Sequence, residues 1–176
     1  MSVRSFESIH PQLGDRVFVD PTALVVGDVE VGDDSSVWPM ATVRGDVHSI
    51  KIGSRTSIQD GCVLHVTHAG PYDPAGHDLV IGDDVTIGHK AMIHGCTIEN
   101  HVLIGMGTVV MDNAIIHSNV VVGANSLVPP GRELEGGFLW VGSPARKIRA
   151  LTEEELGFFQ YSADNYVKLK DRYLAG

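Results

Sequence analysis

Aliphatic residues recur every six positions through most of the chain. The series runs Leu13, Val19, Val25, Val31, Val37, Val43, and resumes at Ile52, Ile58, Leu64 and again at Ile81, Ile87, Ile93. It closes with Ile98, Ile104, Val110, Ile116, Val122 and Val128, and glycine follows several members, among them Gly53, Gly82, Gly88 and Gly105. A helix repeats about every 3.6 residues and a half-buried strand every two, so neither explains this period. A short strand plus a turn per repeat does, with three repeats closing one triangular coil. Stacked coils bury their aliphatic columns and pair backbones about 4.8 Å apart. The pattern predicts a mainly β single domain over 1–176, with a parallel β-helix of about six coils over 11–141.

Breaks in the period are equally informative. Nine residues separate Val43 from Ile52, and seventeen separate Leu64 from Ile81. The second interval, rich in Gly, Pro and His, predicts an external loop at 67–79 thrown out at a corner. After Val128-Pro129-Pro130 the repeat fades. Thr152 then stands three residues before Glu155, the spacing of a capping box, and predicts a C-terminal helix over 152–173. Leu156, Phe159, Tyr166, Leu169 and Tyr173 fall on one helical face, which should lie along the prism and shield strand surface.

Charge and composition narrow the function classes. A net charge of −9 argues against nucleic acid or an anionic membrane as partner. No stretch reaches the roughly 20 apolar residues of a membrane span, and Met1–His10 lacks a signal-peptide core. Cys62 and Cys96 have aliphatic or glycine neighbours and read as small buried hydrophobes, which fits a reduced, cytoplasmic setting.

Against that background the histidines carry the chemistry. The residues following Val43, Leu64 and Ile93 in the third column are Arg44, His65 and His94, stacked on one face in successive coils. Backbones about 4.8 Å apart can bring two imidazole nitrogens to the roughly 3.4 Å that a tetrahedral zinc requires. His89 lies two residues beyond Ile87 in the second column, as Asp60 lies beyond Ile58, and so belongs to another face. The aliphatic core separates it from the other two. A third ligand must then come from a neighbouring chain, which three-fold packing allows: a homotrimer with His65 and His94 from one subunit and His89 from the next.

These residues sit in motifs that resemble the γ-class carbonic anhydrases, in particular a short bacterial branch without a long acidic loop. The motifs are Val43-Arg44-Gly45-Asp46, Ile58-Gln59-Asp60, Leu64-His65, Gly88-His89 and Ile93-His94-Gly95, and the similarity spans nearly the whole chain. The resemblance implies a left-handed β-helix and a zinc site, with iron(II) or cobalt(II) as alternatives on the same ligands. It implies reversible hydration of CO2 to bicarbonate by metal-bound hydroxide. It places Arg44, Asp46 and Asp60 at the subunit interface, where arginine and carboxylate meet. Gln59 takes the position of a glutamine that orients the metal-bound water, and Tyr161 a position where relatives place an active-site asparagine or tyrosine. Two departures stand out: Val47 and His68 occupy positions that carry proton-transferring glutamates in other members. Turnover is then expected to be slow, with His68 as a substitute shuttle. Two rivals remain at this stage: a metal-loaded trimer serving as a scaffold, and a hexapeptide-repeat acyltransferase using one histidine as general base.

Overall fold

The computed structural model describes residues 2–176. The chain winds as a three-sided prism, a left-handed parallel β-helix. The first side runs from Gln12–Leu13 through the later parts of Leu24–Val31 and Thr42–Ile52. It continues with Leu79–Ile81, Thr97–Ile98, Ile115–Ile116 and Glu133–Leu134. The second side stacks Phe18–Val19, Ser36–Val37, Ser57–Ile58, Thr86–Ile87, Val102–Ile104, Val120–Val122 and Phe138–Val141. The third holds Val63–His65, Met92–His94, Val109–Val110 and Leu127–Val128 beyond the early parts of the two long strands. The inward columns are closed to solvent: Val25, Val43, Leu64, Ile93 and Val110 are all fully buried.

Leu13 does not share that fate. It is 39% exposed, because it lies in the end coil and has no neighbouring layer to cover it. At the opposite end Leu134 and Trp140 are buried and close the stack.

Turns between short strands require backbone in the left-handed region, and the chain supplies it column by column. Asp34, Arg55, Asp84, His101 and Asn119 all take φ between +54° and +60° at one corner. Their side chains reach along that corner, and it is there that the helix Glu153–Leu174 is anchored. Arg55 donates to Asp84 at 2.8 Å and to Asp164 of the helix at 2.6 Å. Lys170, wholly buried, donates to Asp34 at 2.8 Å and to Asp171 at 2.5 Å. Trp38 fills the seam, 5.3 Å from Phe18 and 5.4 Å from Tyr173 between ring centres. The helix therefore lies on the second side.

Both irregularities in the period acquire a shape. Between Gly45 and Ile50 four residues face the single Asp28 of the preceding coil, so a bulge carries Asp46 outward. The long interval leaves the prism as a loop closed at its base by paired backbone bonds between Thr67 and His77. Leu79, expected in that loop, belongs instead to the strand Leu79–Ile81 and is fully buried, because the first-side column needs an apolar residue there. Cys62 and Cys96 are free and buried, and burial pushes the Cys62 thiol up to about 11.

Candidate metal centre

The third side brings two of the singled-out histidines together. His65 and His94 are directly paired in register, with ring centres 5.1 Å apart. His65 Nδ1 stands 3.1 Å from His94 Nε2. The other nitrogen of each ring is held by an aspartate. His65 Nε2 lies 3.0 Å from Asp46 Oδ1, and His94 Nδ1 lies 2.6 Å from Asp112 Oδ1. A carboxylate accepts and does not donate, so both protons lie on the aspartate-facing nitrogens. In the neutral rings the two nitrogens that face each other are therefore both acceptors, available to a proton or a metal ion.

His89 projects from the second side and also stands beside a carboxylate, as an ion-pair contact rather than an aligned hydrogen bond. Its Nδ1 is 3.0 Å from Asp60 Oδ2, and the ring is about half exposed. Each of the three histidines thus has a carboxylate beside one nitrogen, hydrogen-bonded in His65 and His94. His117 is different, with Glu99 3.0 Å from Nδ1 and Glu133 2.5 Å from Nε2, so both nitrogens are occupied. Among the described residues, no three His, Cys, Asp or Glu side chains of one chain converge into a metal cage.

Asp46 also pairs with Arg44, through the bulge that displaces it. Burial opposes ionisation of Asp46, yet the hydrogen bonds from His65 and Arg44 outweigh it and hold the carboxyl below its usual range. Arg44 therefore has a partner within its own chain, and Asp60 is engaged by His89 rather than by an arginine of the same chain.

Gln59 is buried beside His89. Its Oε1 accepts from the backbone N–H of His89 at 3.2 Å, and its Nε2 donates to the Tyr166 hydroxyl at 2.5 Å. A backbone N–H can only donate, which sets the amide orientation without ambiguity. Burial, then the nearby charge of Asp60, raises the Tyr166 phenol and keeps it protonated. Tyr161, by contrast, is 65% exposed and packs on Phe158 at 5.9 Å. It shares with Gln59, His89 and Tyr166 a cleft of about 380 Å³ between helix and prism, walled by Leu103, Met106 and Phe158. His68 is exposed on the external loop. Asp112 and Tyr166 were not singled out as site residues from the sequence. Asp112 lies one coil on but one residue past the register partner of His94, opposite Gly95, so the stacking rule alone does not reveal it.

The chain belongs to the hexapeptide-repeat proteins and is γ-carbonic-anhydrase-like among them, as its fold and its relatives show. The family model for bacterial transferase hexapeptide (six repeats) matches residues 10–45 and 95–130. Among relatives, protein YrdA of Escherichia coli is 52% identical over 172 residues, covering 98% of this chain and 94% of its own. Mitochondrial gamma carbonic anhydrase 1 of Arabidopsis thaliana is 41% identical over 165 residues, covering 94% of this chain and 60% of the plant protein. The crystal structure of a hexapeptide transferase family protein from Anaplasma phagocytophilum superposes with a TM-score of 0.89 at 37% identity, covering 97% of each chain. Among the described residues, no helix is long and apolar enough to cross a membrane.

Proposed function

We propose that the protein is a zinc-dependent carbonic anhydrase-like enzyme, a homotrimer in which His65 and His94 of one subunit and His89 of the next hold each ion. One observation carries this reading: His65 Nδ1 and His94 Nε2 face each other 3.1 Å apart, while an aspartate takes the other nitrogen of each ring. Two acceptor nitrogens at that distance are held either by a shared proton or by a cation bound between them, and a metal ion can take the proton's place. Zinc bonds to imidazole at about 2.0–2.1 Å, which places two such nitrogens roughly 3.4 Å apart. Carboxylates behind ligating histidines are the usual means of fixing tautomer and ring orientation. The donor set suits zinc, and iron(II) or cobalt(II) equally satisfy it.

The boundary between subunits would run along the third side. Val63 and Met92, which directly precede the column leading to His65 and His94, are 40% and 48% exposed, and Met111 joins them. A strip of exposed aliphatic and methionine side chains beside an open ligand pair marks a surface that meets another chain. His89, half exposed on the second side, is the complementary contribution.

When bound, the ion supplies the Lewis acidity that makes water nucleophilic near neutral pH. The chain's own residues do the rest. Gln59, locked by His89 and Tyr166, lines the cleft, and the second N–H of its amide can donate to an oxygen of bicarbonate. Asp46 and Asp112 keep His65 and His94 in their ligating tautomers, and Asp60 stands beside the Nδ1 of His89. Val47 cannot take up a proton, so proton export falls to exposed His68 and to buffer, and turnover is slow. Tyr161 lines the mouth of the cleft.

Mixing two inactive variants tests the shared site. H89A keeps the pair from one wall, and H94A keeps His89. Each alone should bind little zinc and hydrate little CO2. Refolded together, they should regain about one zinc per mixed trimer, since one of the three boundaries then has both halves intact. Failure of the mixture to recover metal would reject the shared site. Full metal recovery without CO2 hydration, even in concentrated buffer, would leave a metal-loaded scaffold instead.

A further inference from the structure

We propose that Asp112 is the positioning residue for His94 and that, through Thr67, it couples the external loop to the orientation of that ring. The inference rests on the metal-site reading above and deepens it. Asp112 divides its two oxygens between different segments. Oδ1 is 2.6 Å from His94 Nδ1, and Oδ2 accepts from the Thr67 hydroxyl at 3.0 Å. Thr67 is where the chain leaves the prism. Its N–H donates to the His77 carbonyl at 3.0 Å and its carbonyl accepts from the His77 N–H at 2.9 Å, so both stems of the loop are tied at this point.

Gly95 completes the junction. A Cβ there would stand 2.4 Å from Asp112 Oδ1 and 2.8 Å from the His77 Cβ, and the backbone has φ +48°. Only glycine lets the residue after His94 pass this close to both the aspartate and the loop. Ring, carboxylate and loop stems therefore occupy one contact. Rotating His94 away breaks the bond to Asp112. Opening the loop withdraws Thr67 and frees Asp112 to turn. Because such coupling is reciprocal, a cation on the open nitrogen of His94 must also steady the loop.

The experiment reads the metal-free and zinc-loaded protein for wild type, D112A, D112N, T67V and T67S. Long-range 1H–15N imidazole spectra of the metal-free protein should show His94 with its proton on Nδ1. D112A should lose that preference, and D112N, which keeps an acceptor, should restore it. Zinc affinity, measured by chelator competition, should fall roughly 10- to 100-fold in D112A. T67V should cost about fivefold, the scale of one lost hydrogen bond, with T67S close to wild type. Zinc should slow hydrogen exchange at the Thr67 and His77 amides in wild type but not in D112A. Unchanged tautomer and zinc affinity in D112A would overturn the role of Asp112. Faster loop exchange in T67V with zinc affinity intact would overturn the coupling. If wild type takes up no zinc, the metal-site reading fails, while the tautomer and the exchange in metal-free T67V still decide the junction.

Discussion

His117 sits between two carboxylates from the coils on either side, and the stacking gives it a measurable signature. The hydrogen bond that it donates to Glu133, then that to Glu99, raises its imidazole above the ordinary value. Glu99 is lowered in turn by the Ser118 backbone N–H and by His117. A raised folded-state value means that the stabilisation is complete below the unfolded pKa of about 6.5 and is lost as pH rises through the folded value. Denaturant midpoints should therefore decline from pH 6 to pH 8.5 in wild type and decline less in H117Q. The group is one-third exposed, so the effect is small. Equal slopes in the two proteins would show that the stack is not coupled to folding. The contrast with His65, His89 and His94 matters at this same scale. A histidine with two acceptors is a strut, whereas one with a single acceptor has a nitrogen left over for chemistry.

The C-terminal helix begins at a reciprocal capping pair. Glu155 N–H donates to Thr152 Oγ1 at 3.2 Å, and Thr152 N–H donates to Glu155 Oε2 at 2.9 Å. What fastens the helix to the prism lies further along, in Asp164 on Arg55 and Lys170 on Asp34. Lys170 is the more consequential because its ammonium is wholly buried. Removing one member of a buried pair typically costs about 3 kcal/mol. K170M should lower stability on that order and expose the second side to proteolysis. Tyr166 hangs from the same helix, so the hydrogen bond to Gln59 should loosen and hydration activity should fall alongside. A K170M protein with unaltered melting and activity would mean that the aromatic seam of Trp38 and Tyr173 suffices to dock the helix.

For the whole molecule, the proposal joins metal retention to assembly. If each ion spans two chains, stripping it removes ligand bonds from every boundary, and binding and association share one free energy. Treatment with a chelator should weaken the trimer, shifting its dissociation to higher protein concentration in sedimentation runs, and added zinc should reverse the shift. A trimer equally tight with and without metal would place the association energy wholly in apolar contacts such as Val63 and Met92. An assembly other than a trimer would require a different partner for His89.

A six-residue period states which residues point inward, because three equal sides can close only in one register. For that reason the alignment of His65 with His94, and the placement of His89 on another side, were legible from spacing alone. The capping pair was legible because it is local. The companions of each ring were not. Asp112 is 18 residues from His94, Asp46 reaches His65 through a bulge, and Tyr166 meets Gln59 from a helix 107 residues away. Tyr161 and Tyr166 both lie on that helix, and only its docking, set by buried Lys170 and by Arg55 at the corner, decides which hydroxyl Gln59 meets. Periodicity determines direction, since it follows from backbone geometry repeated without change. Distance between side chains depends on bulges, loops and docked elements that no period encodes, and the folded chain alone supplies it.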